Sequence, residues 1–204
     1  MSHCTNFKFQ YVDKSLIIKT FECLNLACSE DYVYSFSSGF EKFLGINGKD
    51  KTAALVASQD GFHYFMCDRG NFYELIMEKH NMTADDAALA RIMANEFQNL
   101  YVKNAVQAVM KKFENQGISC CMEESQSGFE IKFGNLYEKS LFIKLQNGRV
   151  VENVKGVKGQ SCQSITEVLE NMLSSEDVEL NTEWTEEYYE DPDDGLTIYN
   201  LEKF

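Results

Sequence analysis

The sequence predicts an α+β protein: an antiparallel sheet covered by two helices, followed by a small β-hairpin–helix module with an acidic tail. Three observations carry this. Short runs alternate apolar and polar residues with the period of a half-buried strand. Glycine turn pairs, Asp60-Gly61 and Asn147-Gly148, separate such runs by hairpin distances. A single long stretch beginning at Thr83 instead keeps helical spacing.

The elements follow in order. Residues 5–12 place Phe7, Phe9 and Tyr11 on one side of a strand. Asp13 or Ser15 then caps a helix over 14–25, whose stripe is Leu16, Ile17, Thr20, Phe21 and Leu24. From Tyr32 to Tyr73 the texture is β, with turn signals at Asn47-Gly48 and at a hairpin tip spanning Gln59-Asp60-Gly61-Phe62. Thr83, with Asp86 at the capping-box position, opens a helix that Gly117 ends. A continuous helix of that length approaches ~50 Å, so a break or loose turn is expected around 83–94. Strands at 118–124 and 128–133 close the first unit, in which Cys120 and Cys121 point to opposite faces and so do not share a metal.

The second unit opens with a hairpin, 141–145 and 150–154, around Asn147-Gly148. A glycine-spaced loop leads into a helix over 163–173, with Ser164 and Glu167 forming a capping box. Residues 175–194 are acidic with interleaved aromatics, a turn is signalled at Pro192-Asp193-Asp194-Gly195, and 196–204 end the chain as a short strand or docked tail. The organisation expected is residues 1–134, residues 139–190, and a tail at 191–204.

Charge divides the chain. Residues 1–158 hold 18 Lys/Arg and 19 Asp/Glu, whereas from Gly159 onward 13 acidic residues face only Lys203. The end repels phosphate backbones, so nucleic acid is not an expected partner, and it suits a basic protein surface. No apolar run approaches membrane-spanning length, and the start lacks a signal-peptide pattern, so a cytoplasmic protein without a membrane partner is expected. The seven cysteines include no Cys-x-x-Cys spacing, so reduced thiols and no metal framework are expected.

Two groups of residues resemble known families. Met1-Ser2-His3-x-Thr5 with Lys8, Asp68-x-x-x-Phe72, and Tyr101 ahead of Gln116-Gly117 resemble the conserved chloroplast reading frame thirty-five family (domain of unknown function 1257), over residues 1–134. The stretch Met66-Cys67-Asp68-Arg69 departs from the aromatic-rich segment of that family. Asn147-Gly148-Arg149-Val150, then Lys155-Gly-Val-Lys-Gly-x-Ser-Cys162, Thr166 and Thr185-x-Glu187-Tyr188-Tyr189 resemble domain of unknown function 2997. The resemblance implies association with AAA-type ATPases and a ferredoxin, whose genes often neighbour those of both families. It implies no reaction.

Three candidate sites emerge. Lys155, Gly156, Lys158, Gly159 and Ser161 read as an anion cradle ahead of a helix start, or as an ordinary strand-to-helix turn. Cys162 sits where a helix dipole lowers a thiol pKa, which makes it the candidate catalytic residue, with a small half-buried side chain as the alternative. Trp184, Glu187, Tyr188 and Tyr189 combine anchors with acidic steering, a partner-binding composition that equally serves to pack the tail. His3 reads as a surface residue, with a ligand or partner contact as the alternative. No complete catalytic set is present and no cofactor is implied. The function expected is a non-catalytic adaptor or accessory protein, partnering an AAA-type ATPase. The alternative is a thiol enzyme or sulfur/redox carrier using Cys162, and a weaker third is a small-anion sensor at the glycine loop. The residues set no oligomeric state.

Overall fold

The computed structural model describes residues 3–34, 51–158 and 161–189. It is α+β, with two antiparallel sheets and, among the described residues, three α-helices. The expected turn at Asn47-Gly48 and everything from residue 190 onward lie outside the described residues.

The larger sheet has the order β10 (Asn181–Trp184), β1 (His3–Lys8), β9 (Arg149–Lys155), β8 (Lys139–Gln146), β7 (Gly128–Phe133), β6 (Cys120–Ser125), every neighbouring pair antiparallel. Strand β1 is inserted between β9 and β10. Alternation turns His3, Thr5 and Phe7 inward, while Lys8 faces solvent. β6, β7 and β8 complete it. The sheet therefore runs straight across residues 134–139, drawing strands from both sides. The β8–β9 turn places Asn147 and Gly148 in the left-handed region (φ 53° and 71°), which is what the Asn-Gly pair supplies.

The smaller sheet is a meander of β2 (Ser29–Tyr34), β3 (Lys51–Gln59), β4 (Phe62–Asp68) and β5 (Tyr73–Lys79). The hairpin tip at Asp60-Gly61 is as expected, both residues at positive φ. Strand β5 is not signalled by clean alternation: Tyr-Glu-Leu-Ile-Met-Glu-Lys is apolar on both faces at its centre.

The first strand is shorter than its aromatic pattern predicts. It stops at Lys8, and Phe9 to Tyr11 run on as an extended crossing between the sheets. Tyr11 bridges Tyr73 of β5, whose N–H donates to the Tyr11 carbonyl at 2.7 Å. Helix α1 (Lys14–Cys23) follows, capped by the Asp13 carboxylate, which accepts from the N–H groups of Ser15 and Leu16.

Helix α2 (Ala84–Asn115) is continuous over 32 residues, about 48 Å, so the expected break does not occur. Its interior holds no glycine or proline. Thr83 and Asp86 form the capping box, and Lys79 of β5 pairs with Asp86 at 2.7 Å, tying the first turn to the smaller sheet. The length is accommodated by overhang: buried residues begin at Ala90, and Ile92 is 63% exposed. Asn104, buried in α2, donates to Thr20 of α1 at 3.1 Å.

Helix α3 (Ser161–Leu173) starts earlier than its sequence signals indicate. Ser164 and Glu167, expected as a capping box, lie inside it. The apolar stripe begins with Cys162, and burial of that residue sets the start. One core joins both sheets and all three helices, with Phe9, Tyr11, Phe21, Tyr64, Phe97 and Tyr101 as its aromatic centre. Among the described residues no helix is long and apolar enough to cross a membrane.

At that centre the Tyr101 hydroxyl accepts from the backbone N–H groups of Val12 (3.2 Å) and Asp13 (3.0 Å) and donates to the Met172 carbonyl (2.9 Å). Tyr101→Phe leaves these groups without their partner and should lower the unfolding free energy by about 2–4 kcal/mol in a denaturant titration at unchanged m. A change within error would mean that the hydroxyl ties nothing together.

Candidate functional site

The glycine loop is a strand-to-helix turn whose geometry accounts for its first glycine. Gly156 lies at φ 72°, and a Cβ there would sit 2.8 Å from the Glu138 carbonyl oxygen, so a side chain is excluded twice over. Lys155 is exposed at the end of β9, Val157 is buried and Lys158 half-buried. Gly159 and the Ser161 side chain lie outside the described residues.

Cys162 is in the first turn of α3 as expected, but it faces the core at 0% exposure. Loss of solvent pushes its thiol up to about 11, and the backbone N–H groups of the helix start only partly oppose this. The expected lowering is therefore reversed, because burial outweighs the dipole. In native protein, iodoacetamide at neutral pH should modify Cys162 more slowly than the exposed Cys23, followed by peptide mass spectrometry. Faster modification of Cys162 would restore the activated thiol.

A second constellation lies beneath the β10 edge. His3, expected at the surface, is buried from β1 against α3, and so is Thr5. Glu152 of β9 stands opposite Thr5 in the sheet register. It is 0% exposed, and neither carboxylate oxygen has a hydrogen-bond partner. From α3 come Thr166, whose hydroxyl lies 3.5 Å from His3 Nε2, and the half-buried Glu170. From β10, Thr182 exchanges a hydroxyl contact with Thr5 at 3.1 Å.

The chemistry of this cluster is set by desolvation. Burial raises the Glu152 carboxyl well above its usual range, with Glu170 adding repulsion. Glu170 is pushed up to about 7, again chiefly by burial. His3 is pushed down to about 4 by the same cause. Burial thus favours the uncharged form of both groups, and His3 is neutral at neutral pH. Among the described residues no group of three or more His, Cys, Asp or Glu side chains is placed to hold a metal ion. The signal for Glu152 was present in the sequence: it occupies an inward position between Val150 and Val154, where a strand pattern demands an apolar residue.

The aromatic residues converge on the rim of this cluster. The Trp184 ring lies 5.2 Å from His3 and 4.0 Å from Tyr188, which in turn meets Tyr189 edge-on at 5.2 Å. Trp184 is 38% exposed and Tyr189 76%. The Glu187 side chain lies outside the described residues. Trp184 thus serves two surfaces, covering His3 with one part of its ring and meeting solvent with another.

Residues 142–189 match the model of a family described as a protein of unknown function (DUF2997). No curated protein and no solved structure matches the chain. The matched segment contains Glu152, Thr166, Glu170, Thr182 and Trp184, whereas His3 and Thr5 reach the cluster from β1, outside it.

The pH response follows from these shifts. A carboxyl with a raised folded pKa holds its proton more tightly in the folded protein. Its stabilisation is complete below the unfolded value of 4.5 and is lost as pH rises, up to about 7 for Glu170. His3 acts in the opposite window, losing stability as pH falls from 6.5 to about 4. Glu170→Gln should therefore gain on the native protein as pH rises from 4.5 to 7, by roughly 5–10 °C in melting temperature, and Glu152→Gln should gain in the same direction. A pH-independent difference would place both carboxyls in water.

Proposed function

We propose that this chain is a non-catalytic accessory protein that docks a protein partner at the β10 edge and the aromatic residues following it. The observation that carries this is the character of that edge. Among the described residues β10 is the outermost strand of the larger sheet, with no neighbouring strand on its far side, and it ends in the partly exposed Trp184 followed by the exposed Tyr189. Edge backbone groups supply register and aromatic anchors supply affinity. Glu183 and Glu186, both exposed, stand among them, within the chain's net-acidic end. Such a surface favours a partner of basic character and speeds its encounter.

The resemblance of residues 1–134 to domain of unknown function 1257 adds a candidate class, an AAA-type ATPase. Tyr188 belongs to the same surface, stacked behind Trp184. Cys162, enclosed in the core, takes no part in this reading.

Size-exclusion chromatography of the full chain with an AAA-type ATPase from the same organism tests the proposal. Co-elution should weaken with rising salt and be lost in a Trp184→Ala, Tyr189→Ala variant, whose truncations together remove about 2 kcal/mol or more of binding energy. No co-elution together with an unchanged ATPase rate, or co-elution indifferent to the substitutions, overturns it.

A further inference from the structure

The strand register brings three separate connections to one end of the larger sheet. His3 of β1 stands opposite Trp184 of β10 on one side and Val154 of β9 on the other. At the same end Lys155 of β9 is opposite Ser140 of β8, and Lys139 of β8 is opposite Phe133 of β7. The β7–β8 turn, the glycine loop after β9 and the aromatic segment after β10 therefore leave the sheet together. Exposed apolar side chains gather there. Leu136 is 91% exposed and Tyr137 47%, and with Trp184 and Tyr189 they make four of the seven exposed large hydrophobic side chains among the described residues. The parts also touch in sequence across the end. The turn meets the loop where Gly156 packs on the Glu138 carbonyl, and His3, beside Val154, lies under the Trp184 ring.

The β7–β8 turn gives up stability in two ways. Leu136 and Tyr137 both lie in the left-handed region, at φ 66° and 54°, which asparagine and glycine occupy at least cost and bulky residues rarely enter. Burial does not repay Leu136, whose side chain stands in water. Strained positions that present a large apolar side chain outward are the kind that ligand and partner contacts retain. Charge is unequal along the same end. Beside the turn the exposed Glu138 is matched by the exposed Lys155. Towards β10 Glu183 and Glu186 are exposed, and residues 161–189 contain no lysine or arginine to offset them.

We propose that this end of the sheet receives one amphipathic helix of the protein partner, its apolar stripe on Leu136, Tyr137 and Trp184 and its basic end against Glu183 and Glu186. The inference rests on the docking reading above and adds the glycine-loop end of the sheet to it. The span selects a helix. From β8 to β10 is three strand spacings, ~14 Å, a distance that ~10 residues of helix cover. Anchors on successive turns of one helix face match such a line. A strand added to β10 runs at right angles to it and reaches Trp184 without reaching the turn. Charge sets the direction of the helix: Lys155 opposes a basic residue at its middle, and the two glutamates draw basic residues to the β10 end.

The turn offers a variant that tests binding without endangering the fold. Leu136→Asn with Tyr137→Gly supplies the residues that its backbone favours, so the full-length variant should melt at or above the native temperature. Its affinity for the AAA-type ATPase, titrated by calorimetry, should nonetheless fall about tenfold or more. Hydrogen–deuterium exchange of the native complex should show protection at residues 136–138 and 155–158 as well as 184–189. The outcomes separate this inference from the reading beneath it. If only Trp184→Ala with Tyr189→Ala weakens binding, and protection is confined to 181–189, docking at β10 stands and the helix across the sheet end is overturned. No binding by the native chain overturns both. A lower melting temperature in the turn variant overturns the inference, because Leu136 and Tyr137 then serve packing. Self-association of the native chain alone that the turn variant abolishes overturns it too, by assigning the surface to a second copy.

Discussion

The Tyr101 hydroxyl is the point on which the arrangement depends. It takes two N–H groups from the chain between β1 and α1 and gives its proton to the carbonyl near the end of α3. Two segments far apart in sequence are thereby fixed to the middle of the long helix. Burial makes the bond matter: Tyr101 is fully enclosed, with edge-on contacts from Phe9 and Tyr11, so water does not replace a lost partner. Burial also keeps the phenol protonated, its pKa moved upward from the ordinary value. The same crossing segment bonds to the β8–β9 turn through Phe9, to the end of α3 through Gln10 and to β5 through Tyr11. Backbone groups that would otherwise be stranded between two sheets are each given a partner.

Next to this well-satisfied centre stands its opposite. Glu152 is as deeply buried as any core valine, yet its carboxylate has no hydrogen-bond partner. A buried polar group of this kind destabilises the fold unless it carries no charge, and the raised carboxyl pKa reflects that pressure. The cover over the cluster is thin: a four-residue edge strand and the ring of Trp184. Among the described residues the sheet beside this cluster ends in that four-residue strand, the one at which docking is proposed.

Much of the local structure was legible. Asp60-Gly61 and Asn147-Gly148 sit at the turns they signal, because their backbone preference is intrinsic and needs no tertiary support. Thr83 with Asp86 likewise caps α2 where the residues indicate. What escaped was decided by distant partners. Phe9 and Tyr11 alternate as a strand should, yet they leave the sheet because α2 and β5 offer them a better-packed crossing. The pairing of Thr5 with Thr182 spans 177 residues, and no local pattern encodes it. His3 lies almost at the chain's start and still is buried, since β1 is an interior strand. Cys162 carried a correct position and an incorrect chemistry: the sequence places it at a helix start, but only packing decides which way the thiol faces.

The strand order shows what the segment matched by the family model lacks when taken by itself. Within 142–189, β9 and β10 are not neighbours; β1 lies between them and hydrogen-bonds to both. Taken alone, that segment would leave the inner edge of β9 open and β10 with nothing to pair with, and Glu152 would face water where Thr5 now stands. Restoring the sheet requires a strand from elsewhere whose inward positions carry small or polar residues beside Glu152 and a larger apolar residue towards the hairpin end. His3, Thr5 and Phe7 meet that requirement. The covalent link between the N-terminal residues and the matched segment therefore holds the strand that lies between β9 and β10 at high effective concentration.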